Sequence, residues 1–198
     1  MATKTATKAS ARERLLEAAN ELFYSEGVQT VGIDRVIEHA GVAKASLYNT
    51  FGSKEGLVCA YLDLRYVRMK DRITRTLTRF RTPREQLLGV FDALGEAFTD
   101  PEYNGCAFVR ATAETAEDSA IRQVADSYRA WVRGLLTELA TASGYAAPEA
   151  LARQLHLLYD GAGQSARMDR DPSAATTARV AAATLLDAAP LTACATTS

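Results

Sequence analysis

The segment at residues 44–49, KASLYN, carries the side chains of this chain that are best suited to contact another molecule. At about 100° per residue of helix, Leu47 points inward and the opposite face is small, hydroxyl-bearing or amide-bearing. That outer face consists of Ala45, Ser46, Tyr48 and Asn49, with Lys44 on its flank. Amides and hydroxyls can bond to base edges, and hydroxyls and ammonium groups can bond to phosphates. The pattern favours DNA reading, and it leaves open a packed helical module with an uncharged surface.

Residues for catalysis or metal binding are poorly represented. The only two histidines are His39 and His156, and three cysteines lie far apart at Cys59, Cys106 and Cys194. No nucleophile–base pair, carboxylate pair, glycine-rich phosphate loop or metal-ligand spacing is evident. We therefore expect no enzyme activity, no cofactor and no metal site.

Apolar residues recur at helical spacing over most of the chain, which predicts an all-α protein of about nine helices. Ser10 and Glu13 have capping-box spacing, Gly27, Gly41 and Gly52 end helices, and Pro148 suits the first position of one. The predicted helices span 11–25, 33–40, 43–51, 54–80, 84–98, 106–116, about 20 residues from 121 towards Gly144, 148–168 and 173–188.

Within the third predicted helix, the inner face is expected to consist of Ala43, Leu47, Thr50 and Phe51. This face would pack on Val36 and Ile37 and on the first helix. Two short helices joined through Gly41 in this way form a helix-turn-helix pattern. The long helix that follows, 54–80, is basic in its later half.

Charge is distributed unevenly. Residues 1–82 carry 14 Lys and Arg against nine Asp and Glu, net +5, whereas residues 83–198 carry nine against 15, net −6. A polyanion would therefore meet the first part, unless the asymmetry reflects only chance and solvated helix faces. The chain is 47% apolar and 24% charged, without an apolar run of membrane-spanning length or the apolar stretch of a secretory signal. We expect a cytoplasmic protein with no membrane partner.

The stretch LLEAANELFYSEGVQTVGIDRVIEHAGVAKASLYNTFGSKEGLVCAYL resembles the N-terminal DNA-binding domain of the TetR family of bacterial regulators. The likeness is carried by the AGV-K--LY--F-SKE-L signature, by the first helix ending in F--EG and by T-GID-V---AG, over about residues 12–62. It implies a homodimer whose third helix lies in the major groove of a double-stranded operator and whose C-terminal core binds a small effector.

The resemblance also implies a set of DNA-contacting positions. Lys44, Ala45, Ser46, Tyr48 and Asn49 hold the family's groove-facing positions, Lys54 matches a phosphate-contacting lysine, and Thr30 matches a threonine near the second helix. Gly32 departs from the pattern, which removes a side-chain phosphate contact that Arg35 is expected to replace in part. Lys4, Lys8 and Arg12 form either a DNA-contacting arm or a solvated tail.

The C-terminal helices are expected to hold the dimer interface and the effector. The last two helices would form an intersubunit four-helix bundle, although the alanines of the last one also suit packing inside one subunit. Candidate ligand-binding residues for a largely apolar effector are Phe91, Cys106, Tyr128, Trp131, His156 and Tyr159. For any one of these aromatic residues, plain core packing is the default interpretation. His156 and Asp160 are either a solvated ion pair or polar groups that converge in a cavity.

The expected organisation is a disordered basic tail at 1–9, a helix-turn-helix domain at 10–56, an effector-binding and dimerisation domain at 57–189 and a disordered tail at 190–198. The function expected is a ligand-responsive repressor that a small molecule releases from a palindromic operator. The alternatives are a transcriptional activator, a protein–protein adaptor, and a small-molecule-binding or enzymatic helical protein whose helix-turn-helix is structural.

Overall fold

The computed structural model describes residues 9–113 and 115–192, and this part of the chain folds into nine α-helices. They are α1 Ala11–Glu26, α2 Ile33–Ala40, α3 Lys44–Phe51, α4 Lys54–Leu77, α5 Pro83–Phe98, α6 Ala107–Thr112, α7 Ala120–Ala142, α8 Pro148–Met168 and α9 Ala174–Ala188. Among the described residues, β pairing is limited to one isolated antiparallel bridge between Tyr145 and Leu191. The all-α prediction is confirmed.

The chain divides into two compact units. The first consists of Met1–Arg65 together with Ala107–Ala125, and the second of Tyr66–Cys106 together with Asp126–Ser198. Helix α6 and the first six residues of α7 thus belong to the unit that holds α1, α2 and α3. Helix α4 contributes its N-terminal half to the first unit and its C-terminal half to the second.

Helices α1, α2 and α3 pack against one another as a helix-turn-helix module. Its interior is formed by fully buried side chains that come from every one of its helices and from the start of α4: Leu15, Phe23, Val36, Leu47, Leu57 and Tyr61. The Phe23 and Tyr61 rings meet edge to face with centroids 5.7 Å apart. The Ser10–Glu13 capping box predicted for α1 is present, with both reciprocal hydrogen bonds formed.

The turn between α2 and α3 is held by a glycine and an arginine. Gly41 adopts the left-handed conformation (φ 61°, ψ 44°), which an amino acid without a β-carbon reaches at no steric cost. Arg14 of α1 donates hydrogen bonds to the carbonyls of Ala40 and Gly41, at 3.4 Å and 3.0 Å. A cation at the C-terminal end of a helix also interacts favourably with the partial negative charge of the helix dipole there. The direction in which α3 leaves the turn is therefore tied to α1.

Gly56 lets α4 begin close to the end of α3. The Ser53 hydroxyl accepts a hydrogen bond from the Gly56 amide at 3.0 Å, so Ser53 caps α4 as its position predicts. A β-carbon added at Gly56 would lie 2.1 Å from the carbonyl oxygen of Phe51. The sequence indicates only that this glycine is tolerated near a helix start, whereas the packing requires it.

Gly56→Ala is expected to lower the free energy of unfolding by about 1–3 kcal/mol, because the β-carbon must displace backbone rather than a mobile side chain. The matched control is Gly134→Ala in the interior of α7, where a β-carbon meets no atom within 4 Å. There the alanine is expected to stabilise the chain by about 0.5–1 kcal/mol, since it gains helix propensity. Urea unfolding followed by circular dichroism measures both changes, and equal midpoints for the two variants would contradict the packing described.

Two helices are shorter than predicted by more than one residue. Helix α4 ends at Leu77 instead of Phe80, because the amides of Thr78, Arg79 and Phe80 bond to carbonyls three residues back, which tightens the chain out of the α-helix. Helix α6 covers Ala107–Thr112 rather than residues 106–116. Helix α5 begins one residue early, at Pro83, since Thr82 and Glu85 form a capping box and proline is tolerated at the first helical position.

In the second unit, α8 and α9 pack along each other and both pack against α5. Leu87, Val90 and Phe91 of α5, Leu155 of α8 and Ala182 of α9 are fully buried. Small residues on α9 allow the close approach: Ala175, Ala178 and Ala182 are all buried. Ion pairs between Arg84 and Asp187 and between Arg179 and Asp92 connect α5 to α9 at its solvent-exposed edge.

The described helices include none that is both long enough and apolar enough to cross a membrane.

Candidate nucleic-acid interface and effector core

The outer face of α3 is exposed and bears no carboxylate. Ala45, Tyr48 and Asn49 are exposed, Ser46 is half-buried, and Tyr48 retains 45% of its surface. Leu47 is fully buried and Phe51 half-buried, as predicted for the inner face, and these two side chains fix the rotation of the helix. The face therefore presents an amide, two hydroxyls and a methyl group to whatever lies against it.

The inner face of α3 is narrower than predicted. Ala43 and Thr50 were assigned to it by helical arithmetic, but both are exposed. The Thr50 hydroxyl donates to the Ser46 carbonyl at 2.7 Å, so it is bonded within its own helix. Only Leu47 of α3 is buried because an eight-residue helix seated on α1 and α2 makes a narrow line of contact.

Two cations of the helix-turn-helix module, Lys44 and Arg35, are paired with carboxylates. The Lys44 ammonium lies 2.7 Å from a carboxylate oxygen of Asp34. The hydrogen bond to Asp34, with the Coulomb attraction of the same group, raises the pKa of Lys44 above its usual value. Arg35 donates through both terminal nitrogens to the Glu26 carboxylate, which is a bidentate pair. Arg35 is thus tied to the C-terminal end of α1.

The N-terminus of α2 is open. Gly32 is its N-cap with extended dihedral angles (φ −76°, ψ 154°), and no side chain caps the helix there. A β-carbon at Gly32 would meet no atom within 4 Å, and Thr30, just before it, is exposed. Lys54 is half-buried at the first position of α4. Two helix N-termini therefore present amides or a cation, and such ends favour anions.

Aromatic rings form a cluster in the second unit. Tyr66 of α4 lies 5.6 Å from Tyr128 and 5.7 Å from Trp131, both on α7, between ring centroids. The hydroxyls of Tyr128 and Tyr159 are 2.6 Å apart and buried. Burial raises the pKa of both phenols well above the usual range. The cluster is therefore apolar with one buried, protonated hydroxyl pair.

His156 lies next to this cluster, in surroundings that favour the neutral form of its imidazole. It is buried, its ring lies 6.1 Å from that of Tyr159, and burial lowers its pKa, helped by the nearby charges of Arg129 and Arg133 and opposed by Asp160. Its ring nitrogen is 3.7 Å from one carboxylate oxygen of Asp160, and the other oxygen of that carboxylate pairs with Arg129 at 2.8 Å. The interpretation as a solvated histidine–aspartate pair is wrong, because the histidine is buried.

The remaining two ligand candidates differ in their surroundings. Cys106 is half-buried and close enough to both tyrosine hydroxyls that its charge would raise their pKa further. Phe91 is fully buried on α5, and the ring contacts found among residues 9–113 and 115–192 do not connect it to the cluster. Tyr66 was missed by sequence reasoning, although its position at the middle of a long amphipathic helix was a signal for it.

Comparison with known proteins agrees with the fold and with the module. Residues 15–61 match the sequence profile of the bacterial regulatory proteins of the tetR family. The crystal structure of SCO4454, a TetR-family transcriptional regulator from Streptomyces coelicolor, superimposes with a TM-score of 0.84 at 31% identity, over 89% of this chain and 94% of that one. The chain belongs to the TetR family.

Curated relatives are transcription regulators as well. The HTH-type transcriptional repressor KstR2 of Mycobacterium tuberculosis is 34% identical over 92 residues, which is 44% of this chain and 44% of its own length. The chain thus matches less than half of that relative. The HTH-type transcriptional repressor NemR of Escherichia coli is 27% identical over 67% of this chain and 68% of its own length. This TetR-family protein is a transcription regulator with a DNA-binding domain.

For this TetR-family regulator, the predicted DNA-contacting residues fall into groups. Lys44, Ala45, Ser46, Tyr48 and Asn49 lie together on α3, while Arg35 is turned to Glu26. Sequence reasoning missed Asp34, whose place in the first turn of α2, ten residues before Lys44, was the available signal. Lys4 and Lys8 lie outside the described residues, and Arg12 stands 5.9 Å over the Phe51 ring.

Gly32→Ser is expected to tighten DNA binding about two- to tenfold for each bound subunit, under the phosphate-contacting role that the family resemblance implies for the start of α2. The open N-cap accommodates the side chain, and a new hydroxyl–phosphate hydrogen bond contributes about 0.5–1.5 kcal/mol. Fluorescence anisotropy with a labelled operator measures the change. Gly32→Ala adds the β-carbon without the hydroxyl, so a serine variant that binds no tighter than the alanine variant would contradict this expectation.

Proposed function

We propose that the protein is a ligand-responsive repressor that binds a palindromic operator as a homodimer and leaves it when a small molecule occupies the core of the second unit. The observation that carries the DNA-reading role is the exposed face of α3, where hydroxyl, amide and methyl groups stand on a helix anchored by the buried Leu47. Solvated helices of charged proteins usually display Glu and Lys instead. A face of this kind allows close approach to base edges.

The roles assigned to the module separate reading from anchoring. Asn49 and Ser46 bond to base edges, and Ala45 leaves room or touches a thymine methyl. Tyr48, Lys44 and Lys54 contact the phosphate backbone, with Thr30 and the open N-terminus of α2 beside them. Arg35 stays on Glu26 and orders the α1–α2 junction, which is a different role from the phosphate contact expected of it.

Dimer formation through α8 and α9 is supported by a groove between these two helices. The groove has a volume of about 370 Å³ and is lined mainly by small residues, among them Gly161, Ala162, Ala178 and Ala181. Leu157, which lines it, is 72% exposed, and Val180 on α9 is 61% exposed. Apolar side chains so exposed beside a groove of small residues suit burial against a second copy. A two-fold axis there would make the contact self-complementary.

The effector is a largely apolar molecule with few polar groups. This assignment is supported by the ring cluster of Tyr66, Tyr128 and Trp131, in which the Tyr128–Tyr159 hydroxyl pair is the buried polar element. Both phenols remain protonated near neutral pH. One O–H is donated within the pair, so an effector would exchange hydrogen bonds with the pair rather than with two independent donors. His156 and Cys106 are additional polar neighbours of the same cluster.

Helix α4 is the element through which occupancy would reach the module. Tyr66 contacts the ring cluster of the second unit, and the preceding residue, Arg65, lies 3.7 Å over the Tyr24 ring in the first. A shift of Tyr66 on effector binding would therefore move Arg65 as well, since the two are consecutive on one helix. An effector that favours the shifted arrangement lowers operator affinity by its differential affinity for the two states.

Selection of bound fragments from the source genome tests the proposal. The expected result is enrichment of a few fragments that share one inverted repeat. Loss of enrichment on adding the compounds produced or degraded by the products of the neighbouring genes would identify the effector. Recovery of fragments without a common repeat would contradict the proposal.

A further inference from the structure

Positive side chains are few in the helix-turn-helix module, and the protein itself engages most of them. Residues 9–62 contain five Lys and Arg and seven Asp and Glu, which gives a net charge of −2. Arg14 donates to backbone carbonyls and Arg35 to Glu26. Even His39 lies 2.6 Å from a carboxylate oxygen of Glu21. The module therefore carries little free positive charge toward DNA.

The pair between Lys44 and Asp34 stands out because it lies at the start of the recognition helix. Asp34 is in the first turn of α2, its side chain is 81% exposed, and that of Lys44 is 58% exposed. Ion pairs so exposed contribute little to folding stability. Asp34 lies beside the proposed phosphate contact, so it affects DNA binding more than it affects folding stability.

At this separation of 2.7 Å, the carboxylate offsets about half of the ammonium's Coulomb potential about 3 Å beyond the ammonium and a larger share farther away, whatever the pair contributes to stability. Binding to DNA of arbitrary sequence comes almost entirely from phosphate neutralisation by such cations. Operator binding draws also on hydrogen bonds to base edges. A carboxylate that restrains Lys44 therefore lowers affinity for DNA of arbitrary sequence by a larger share than it lowers affinity for the operator.

We propose that Asp34 is a selectivity residue that restrains Lys44 and so lowers affinity for DNA of arbitrary sequence more than affinity for the operator. This inference rests on the DNA-contacting role proposed for α3. On the operator, base contacts hold α3 in one register, and Lys44 lies between the Asp34 carboxylate and a phosphate. Away from the operator no base contact compensates for the carboxylate.

The test compares Asp34→Asn with Glu38→Gln, a matched loss of one carboxylate one turn further along α2 on an exposed residue. The probes are a pool of short random-sequence duplexes and the operator recovered by genomic selection with the wild-type protein. For Asp34→Asn we expect random-duplex affinity to rise about five- to tenfold near 0.1 M salt, and the log–log salt slope to steepen by about two per dimer. Operator affinity rises less, so the ratio of the two affinities falls.

Glu38→Gln is expected to change random-duplex affinity less than about twofold, since its carboxylate is bonded to no cation that the proposal uses. In a Lys44→Met background, the gain from Asp34→Asn disappears, because the restrained group is gone. Equal effects of the two carboxylate variants, or a gain that persists without Lys44, would overturn the inference and leave the proposed function standing. A wild-type protein that binds neither probe would overturn the proposed function, and this inference with it.

Discussion

Asn49→Ala is expected to weaken operator binding at least about 30-fold while leaving the fold intact. A good amide contact with a base edge is worth about 1–3 kcal/mol, and a dimer loses it in both half-sites, so the total is about 2–6 kcal/mol. Asn49 is exposed on α3, so its removal leaves neither a cavity nor a buried polar group. Titration of the operator followed by fluorescence anisotropy gives the change in Kd.

The loss of affinity should be confined to the operator, whose sequence is read by base contacts. Affinity for random-sequence duplexes should stay within about twofold, because Asn49 carries no charge to neutralise phosphate. Thr50→Ala is the matched control: Thr50 is the next residue and is exposed, but its hydroxyl is already bonded to the Ser46 carbonyl. An Asn49→Ala variant that binds the operator as tightly as Thr50→Ala would remove Asn49 from the recognition face.

Val180→Glu is expected to convert the proposed homodimer into a folded monomer. Val180 is 61% exposed on α9, the helix that contributes Ala178 and Ala181 to the lining of the groove. In a two-fold interface, the substitution buries two unpaired carboxylates, and each costs several kcal/mol. Sedimentation velocity should show a single monomeric species at micromolar concentration. Operator affinity should fall at least about 100-fold, because one recognition helix then binds alone.

Val67→Glu separates a general effect of the new charge from an effect at the interface. Val67 is a comparably exposed valine, at 53%, but it lies on α4. This variant should remain dimeric and bind the operator. Dimers from both variants would place the subunit contact elsewhere, and monomers from both would mean that the new carboxylate acts without regard to the α8–α9 surface.

Helices with strong local end signals were predictable from the sequence to the residue. Helix α2 ends where Gly41 takes the left-handed conformation, and α8 begins at Pro148, because both signals act through backbone geometry alone. Ends without such signals were not predictable. The last turn of α4 tightens before the capping box of Thr82, and α6 stops at Thr112.

Contacts between helices could not be predicted from the sequence pattern. Helical arithmetic placed Thr50 inward and Ser46 outward, whereas the seat of α3 on α1 and α2 leaves Thr50 exposed and half-buries Ser46. The ion pairs of Lys44 and Arg35 join residues nine or ten positions apart on different elements, a spacing that no helical period reveals. The identity of the effector-core residues likewise depends on which helices meet, and Tyr66 entered only through that packing.

The net positive charge of the first 82 residues does not lie in the helix-turn-helix module. Residues 66–82 hold six Lys and Arg and one Asp, which accounts for all of the +5, and they belong to the second unit. Residues 9–62 are net −2. The described part of the module therefore supplies no net positive field of its own.

Hydroxyl-radical footprinting of the genomically selected operator, with the number of bound protomers measured on the same fragment, tests whether the protein reads a palindrome as a homodimer. We expect two equivalent protected half-sites related by two-fold symmetry, with centres separated by a multiple of about 10 base pairs, and protomers bound in pairs. Protection of a single unsymmetrical stretch by one protomer would contradict this expectation, as would a footprint that Asn49→Ala leaves unchanged.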